Sequence, residues 1–193
     1  LITGANGFLG TALVKCLKNK YSSVKSTVRQ LDNNSSEAAI EIGSINRSTK
    51  WKNALVGVDV IVHTAARVHV MSDDSSDALE EYREVNTQGT VNLAKPAVES
   101  GVKRFIFNST IKVNGESTTL DHPFKASDPR KAEDFYGQSK AEAEEQLLEL
   151  AHNTGLEVVI IRPPLIYGSG VKANILSLLN LVDRGITLPS GSI

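Results

Sequence analysis

Short apolar runs rich in β-branched residues alternate with longer amphipathic stretches along the chain. The apolar runs predict strands at Val24–Val28, Ala38–Ile42, Val58–His63, Val102–Phe107 and Leu156–Ile161, after a short apolar stub that ends at Thr3. The amphipathic stretches predict helices at 8–20, 47–56, 84–100, 136–152 and 172–184. Strands that alternate with helices are typical of a parallel sheet covered on both faces. The pattern therefore predicts an α/β protein with a doubly wound parallel sheet.

Composition narrows the class of protein. The chain has 193 residues, of which 40% are hydrophobic and 22% are charged, and its net charge is −1. This balance fits one globular domain and provides no basic surface for nucleic acid or for an anionic membrane. No apolar run approaches the roughly 20 residues that cross a bilayer. Cys16 is the only cysteine, so no internal disulfide can form, and its apolar helix face predicts packing in the core. We therefore expect a cytoplasmic enzyme with no nucleic-acid or membrane partner.

Three glycines after the first apolar stub carry the first chemical signal. Gly4, Gly7 and Gly10 are spaced three apart and lead directly into the amphipathic stretch 8–20. Gly4 permits a tight turn, Gly7 lets backbone N–H groups approach phosphates, and Gly10 lets the helix pack close to the sheet. The spacing differs from the usual G-x-G-x-x-G, and a mobile glycine loop is the alternative. Between a strand and a helix, the motif favours dinucleotide binding on a Rossmann-type sheet.

A tyrosine and a lysine four residues apart carry the candidate catalytic chemistry. Tyr136 and Lys140 fall on one face at the start of a predicted helix. A free phenol has a pKa of about 10, and a nearby ammonium lowers that pKa toward the working range of a base. Ser109 and Thr110 follow a buried strand, at the edge where doubly wound sheets bind ligands. The alternative is a solvated helix face beside a strand-end cap.

Six motifs, in order, resemble the extended short-chain dehydrogenase/reductases of the NAD-dependent epimerase/dehydratase family. They are Thr3–Gly10, Val62–Ala66, Asn86–Thr90, Ser109–Gly115, Tyr136–Lys140 and Arg162–Gly168. The resemblance implies a nucleotide-sugar substrate, NAD or NADP as cofactor, and a homodimer built from the helices at 84–100 and 136–152. It also implies that Tyr136 takes a proton from a sugar hydroxyl, that Lys140 holds the ribose and lowers the tyrosine pKa, and that Thr110 hydrogen-bonds the reacting oxygen.

The resemblance extends to binding residues. It places the cofactor against Gly4, Asn6, Gly7, Phe8, Leu9, Gly10, Arg29, Thr64, Ala65, Ala66, Asn86, Asn108, Ser109, Tyr136, Lys140 and Pro163, and the substrate, expected to be UDP-linked, against Lys112, Lys172 and Asn174. No metal is expected. Since the family's substrate-binding region continues past residue 193, we expect residues 1–193 to be a Rossmann domain truncated at both ends. The start of the substrate-binding region is expected at 163–193.

Departures from the family pattern narrow the activity. Sugar-nucleotide 4,6-dehydratases carry an Asp-Glu pair directly after the catalytic hydroxyl, where this chain has Ile111 and Lys112, so a dehydratase is not expected. Leu165 stands where many 4-epimerases have an asparagine that contacts the substrate phosphates. The run 110–116 most resembles a branch of epimerases and 4-keto-6-deoxy-hexosamine reductases of polysaccharide synthesis. We expect a 4-epimerase of a UDP-hexose or UDP-N-acetylhexosamine that acts through a transient 4-keto intermediate.

Three alternatives stay open. The first is an NADPH-dependent reductase of a UDP-4-keto-6-deoxy-hexosamine, and the second is a reductase of carbonyl compounds that are not nucleotide-linked. The third is a non-catalytic NAD(P)-sensing protein, although such proteins tend to lose the tyrosine–lysine pair that this chain keeps. Arg29 favours NADP, because an arginine after the second strand pairs with the 2′-phosphate, whereas an acidic residue there binds the ribose of NAD. Asp32, three residues later, leaves NAD open.

Overall fold

A parallel sheet forms the centre of the fold. The computed structural model describes residues 1–32, 38–68, 77–171 and 173–185. In these residues six parallel strands lie in the order β3-β2-β1-β4-β5-β6. They are β1 (Ile2–Thr3), β2 (Ser26–Val28), β3 (Ala39–Glu41), β4 (Val60–His63), β5 (Arg104–Asn108) and β6 (Glu157–Ile161). The strand order reverses between β1 and β4, and ligands of such sheets bind at the carboxyl ends beside this point. The predicted α/β class and Rossmann-type topology are confirmed.

Helices connect most of the strands, and one further helix follows β6. They are α1 (Phe8–Lys18), α2 (Lys52–Leu55), α3 (Ala78–Tyr82), α4 (Gly89–Glu99), α5 (Phe135–Thr154) and α6 (Ala173–Asp183). A π-helical segment, Arg83–Gln88, joins α3 to α4, and a 3-10 turn, Ile111–Val113, follows β5. The long helix α5 begins at an Asp134 N-cap and ends where Gly155 adopts φ 76°. Only glycine adopts this left-handed conformation readily, which explains why α5 stops there.

Two helices and one core residue differ from the sequence prediction. The helix predicted at 84–100 begins earlier, at Ala78, and includes a π-helical segment. The helix predicted at 47–56 is reduced to Lys52–Leu55, because the Asn46 and Thr49 side chains bond nearby backbone groups and hold a turn instead. Cys16, expected in the core, is exposed. Within the described ranges no helix is long and apolar enough to cross a membrane, and no group of three or more metal-ligating side chains is found.

The core fixes the helices that carry the candidate chemistry. Phe105 and Phe107 of β5 are fully buried and belong to one cluster with Leu93 of α4 and Leu147 of α5, which are also fully buried. Burying a side chain of this size contributes about 1.5–3 kcal/mol. Helix α5 is therefore held firmly against the end of β5, where the candidate catalytic hydroxyl follows.

Candidate active site

The glycine loop connects β1 to α1 at the carboxyl edge of the sheet. Gly4 has φ 65°, and a Cβ on it would lie 2.8 Å from the Cα atom of Ala65, in the segment after β4. A Cβ on Gly10 would lie 2.1 Å from the carbonyl oxygen of Gly4, so α1 approaches the loop more closely than a side chain allows. Gly7 is the N-cap of α1 and has no side chain to cap the first N–H groups. Free N–H groups at a helix N-terminus attract phosphate, so the loop fits a pyrophosphate.

The segments after β2 and β4 lie at the same edge. Thr64 Oγ1 donates to the Thr3 carbonyl at 2.6 Å, which ties the segment after β4 to the end of β1. Arg29 directly follows β2, the neighbour of β1, and its side chain is exposed. These positions agree with a dinucleotide that lies along the carboxyl ends of β2, β1 and β4.

Asn86 supports this edge from behind. It lies in the π-helical segment and is fully buried. Its amide accepts from the Arg67 N–H at 2.8 Å, donates to the Arg67 carbonyl at 3.0 Å, and donates to Ser139 Oγ at 3.0 Å. Because protein groups occupy this amide, Asn86 ties the chain after β4 to α5, and its contact with the cofactor stays a prediction.

Lys140 is a buried cation at the end of β5. Only 1% of its surface is exposed, its Nζ donates to the Asn108 carbonyl at 2.7 Å, and Nζ lies 4.3 Å from the centroid of the Phe107 ring. Burial lowers the pKa of Lys140 to about 7, while the charge of Glu144 acts to raise it.

Tyr136 lies one helical turn before Lys140 on α5. Its ring packs edge-on against Tyr82, with 6.3 Å between the centroids. Burial and then the charge of Asp134 raise the pKa of Tyr136 to about 12, and the Lys112 charge acts to lower it. The Lys140 amine bonds the Asn108 carbonyl, and its expected lowering of the tyrosine pKa stays a prediction. Lys112 is a second cation, and its charge acts to lower the pKa of the phenol.

Thr110 and Lys112 connect the end of β5 to the start of α5. Thr110 is the N-cap of the 3-10 turn, and its Oγ1 accepts from the Lys112 N–H at 3.3 Å. Lys112 Nζ donates to Asp134 at 2.6 Å and to Glu116 at 2.9 Å. Asp134 in turn accepts from the Gly137 N–H at 2.6 Å as the N-cap of α5. Lys112, predicted to bind substrate, therefore bridges the turn that carries the hydroxyl to the helix that carries the tyrosine.

Glu144 is a buried carboxylate that the sequence analysis did not single out. It lies two turns after Tyr136 and has no exposed surface. It accepts from Ser109 Oγ at 2.5 Å, from Arg162 Nη2 at 2.5 Å and Nε at 2.9 Å, and from Arg130 Nε at 3.2 Å. Burial acts to raise the pKa of Glu144, but these bonds outweigh it and the pKa lies below its ordinary value. The spacing of eight residues from Tyr136 was the available signal, since it places both on one helix face.

The remaining predicted site residues either follow strands at the carboxyl edge of the sheet and the start of α1, or fall outside the described residues. Asn6 and Phe8 are exposed, and those that are partly buried are Leu9, Thr64, Ala65, Ala66, Asn108 and Pro163. The Pro163 carbonyl accepts from the Ile111 N–H at 3.1 Å and so joins the end of β6 to the 3-10 turn. Lys172 and the side chain of Asn174 lie outside the described residues.

A cavity of about 580 Å³ lies beside the Glu144 cluster. Its lining includes Asn114, Leu148 and Ile160, the guanidinium-bearing Arg130 and Arg162, and the loop 124–128. Since neither Tyr136 nor Lys140 lines it, this cavity is distinct from the candidate active site.

Fold and site together define a Rossmann-type domain of the short-chain dehydrogenase/reductase class, with a glycine loop after β1 and a tyrosine–lysine pair on α5. Residues 1–185 match the model of the NAD dependent epimerase/dehydratase family. The chain belongs to this family.

Three similar proteins agree with this assignment. A UDP-glucose 4-epimerase of Vibrio cholerae is 56% identical over 195 residues, which cover 100% of this chain and 59% of the relative. A second relative, from Escherichia coli O157:H7, is an N-acetyl-alpha-D-glucosaminyl-diphospho-ditrans,octacis-undecaprenol 4-epimerase. It is 32% identical over 190 residues, which cover 96% of this chain and 54% of the relative. The structure of MoeE5 in complex with UDP-glucose and NAD superposes with a TM-score of 0.78 at 26% identity, over 95% of this chain and 60% of that one. The chain thus spans between half and two thirds of the length of these relatives.

Proposed function

We propose that the protein is a nucleotide-sugar 4-epimerase that acts on a UDP-hexose or a UDP-N-acetylhexosamine through a transient 4-keto sugar. One observation carries the proposal. The glycine loop, Thr110 and the Tyr136–Lys140 pair converge on the carboxyl edge of the sheet in a chain that is 56% identical to a UDP-glucose 4-epimerase. The identity to that relative supports an epimerase over the other activities of the family.

The residues fit a dinucleotide cofactor, NAD or NADP. A side chain at Gly10 would collide with the loop backbone, and the exposed N-terminus of α1 offers N–H donors to a pyrophosphate. When bound, the nicotinamide supplies hydride transfer from and to the sugar carbon. The MoeE5 complex with NAD supports NAD in this role.

The chain's own residues supply the proton chemistry. We assign Tyr136 to take the proton of the sugar 4-hydroxyl during oxidation and to return it during reduction. A phenol whose pKa lies near 12 needs a cation to act as a base at neutral pH. The candidate cations are Lys112, which bonds the N-cap of α5, and Lys140, one turn after Tyr136 on α5. Thr110, at the start of the 3-10 turn, is assigned to hydrogen-bond the reacting oxygen.

A reductase is the second candidate, and Arg29 is the observation that favours it. Arg29 is exposed at the end of β2, where a guanidinium can pair with the 2′-phosphate of NADP. A reductase of a UDP-4-keto-6-deoxy-hexosamine would use NADPH as a dissociable reductant. An epimerase instead keeps its NAD between turnovers, so the bound nucleotide separates the two.

The deciding experiment identifies that nucleotide and then the reaction. The purified protein is denatured, and any released nucleotide is identified by chromatography. NAD at near-equal stoichiometry, with conversion of UDP-glucose to UDP-galactose, would support the epimerase. An empty protein that binds NADPH far better than NADH and reduces a UDP-4-keto sugar would support the reductase, and turnover of small ketones alone would contradict both. Tyr136→Phe is expected to abolish turnover, and Tyr21→Phe, an exposed tyrosine outside the site, is the matched control.

A homodimer in the cytoplasm completes the proposal. Helices α4 and α5 correspond to the helices through which relatives of this family commonly dimerise, and Leu148 on α5 is 44% exposed. The single cysteine agrees with a reducing compartment. A strict monomer by light scattering would contradict the dimer.

A further inference from the structure

Helix α5 contacts two consecutive residues at the end of β5. Lys140 donates to the Asn108 carbonyl at 2.7 Å, and Glu144, one turn later, accepts from Ser109 Oγ at 2.5 Å. The next residue is Thr110, the candidate catalytic hydroxyl. Tyr136 precedes Lys140 by one turn on the same helix. One helix face therefore carries the reactive phenol and two groups that fix the strand end from which the reactive hydroxyl follows.

From this arrangement we propose that Glu144 is a positioning residue of the active site: its carboxylate fixes Ser109 and thereby holds Thr110 in register with Tyr136. This inference deepens the proposed function and rests on it. Glu144 acts through Ser109 and touches neither substrate nor cofactor.

The neighbours of Glu144 restrict the carboxylate to one orientation. Arg162, which follows β6, donates to both of its oxygens, and Arg130 donates to the oxygen that Ser109 does not use. The Ser109 N–H is also bonded to the Ile161 carbonyl of β6 at 2.7 Å. Ser109 is therefore held by its backbone and by its side chain, and the side-chain contact comes from the catalytic helix.

The physical cost of burying this charge supports a role beyond stability. Only the Glu144 carboxylate is fully buried, whereas Arg162 is partly buried and Arg130 is exposed. Burying the carboxylate carries a large desolvation penalty, and apolar residues of similar volume often stabilise a protein as well or better. An exposed carboxylate immediately beside it, Glu145, has no such partners among the bonds described. What the cluster provides is a carboxylate on α5 that Arg162 and Arg130 hold in place and that accepts one hydrogen bond from the Ser109 hydroxyl.

Two variants test the proposal. Ser109→Ala removes only the hydroxyl and leaves Glu144 bonded to both arginines, so it is expected to fold. Glu144→Gln keeps the side-chain shape and removes the charge. Loss of one buried hydrogen bond that orients a reacting group is expected to lower kcat by about tenfold, while KM for the UDP-sugar and the dissociation constant of the dinucleotide stay within about twofold of wild type. Glu145→Gln is the matched control and is expected to match wild type.

A readout that is independent of turnover separates this inference from the proposed function. Amide hydrogen exchange at residues 108–112 is expected to be about tenfold faster in Ser109→Ala than in wild type or Glu145→Gln, because the strand end has lost its side-chain bond to Glu144 and keeps only the Lys140 contact with α5. In the double variant that combines Ser109→Ala with Glu144→Gln, kcat should fall no further than in Glu144→Gln alone, because both substitutions remove the same hydrogen bond.

Each outcome bears on one of the two conclusions. Unchanged exchange at 108–112 together with wild-type kcat in Ser109→Ala would overturn the positioning role and leave the epimerase intact. A wild-type protein without epimerase turnover would overturn the proposed function, and the exchange data would still decide whether Glu144 holds the strand end. If Glu144→Gln does not fold, Ser109→Ala alone decides.

Discussion

A buried histidine should make the stability of this domain sensitive to acid, and His63→Gln tests this. His63 ends β4 and has no exposed surface; its Nδ1 lies 2.7 Å from Thr3 Oγ1 and its Nε2 lies 3.0 Å from Thr90 Oγ1. Its ring stacks on Phe107, with centroids 5.9 Å apart. Burial, and then the charge of Lys140, lowers the pKa of His63 to about 3. The folded chain therefore holds this imidazole neutral, and its hydrogen bonds intact, throughout mildly acidic conditions.

The magnitude follows from the difference in proton binding. In the unfolded chain the histidine titrates near pH 6.5, so between pH 6.5 and about 3 the unfolded state binds a proton that the folded state excludes. The free energy of unfolding therefore falls as pH falls, by about 1.4 kcal/mol per pH unit from this residue alone. At pH ~4.5 the loss is about 3 kcal/mol, a large share of the ~5–15 kcal/mol that stabilises a typical domain.

Urea unfolding of wild type and His63→Gln across this pH range measures the effect. At neutral pH the variant is expected to be less stable by about 1–3 kcal/mol, because glutamine cannot reproduce both hydrogen bonds and the ring stacking. That deficit should shrink by about 1.4 kcal/mol for each pH unit below 6.5, because glutamine does not titrate and the other groups cancel in the difference. His152→Gln, which replaces an exposed histidine near the end of α5, should follow wild type. A deficit that stays constant down to pH ~4.5 would refute the reasoning.

Three further predictions concern the site. Gly10→Ala should lower the free energy of unfolding, measured in urea, by about 1–3 kcal/mol, because its Cβ would lie 2.1 Å from the Gly4 carbonyl oxygen. The Cβ of Gly7→Ala would lie 3.1 Å from the same oxygen, so this variant should lose less stability, and equal losses would contradict the steric argument. Lys112→Met should move the rising limb of kcat to higher pH in a pH–rate profile, since the Lys112 charge lowers the pKa of Tyr136, and an unmoved limb would exclude this coupling. Arg29→Asp should shift the ratio of NADPH to NADH affinity toward NADH by about tenfold in fluorescence titrations if this guanidinium binds the 2′-phosphate.

The strands were predictable because parallel strands are covered on both faces and so appear as apolar runs. The run predicted at Leu156–Ile161 and β6 at Glu157–Ile161 differ by one residue. The helix predicted at 84–100 was wrong at its start, since the helical chain begins at Ala78. The π-helical segment 83–88 holds more residues per turn than an α-helix. A single apolar period of 3.6 residues therefore cannot describe α3 and α4 together.

The site was predictable where a motif is contiguous in sequence and not where distant charges meet. The spacing of Tyr136 and Lys140 placed them on one face, as the structure shows. The Glu144 cluster was missed because charged helix residues are usually solvated, and its partner Arg162 lies 18 residues away on another element. The pKa of Tyr136 likewise depends on burial, which raises it, and on charges from other parts of the chain, among them Lys112 in the turn after β5, which acts to lower it.

The π-helical segment also fixes how many residues the chain needs between α3 and α4. Asn86 in this segment bonds Ser139 of α5, and Thr90, one turn later, bonds His63 of β4. A π-helical turn holds about one residue more than an α-helical turn, so this segment accommodates an extra residue while α3 and α4 keep nearly the same rotation about the helix axis. The wider turn therefore lets the chain place Asn86 against α5 while Thr90 still faces His63 of β4.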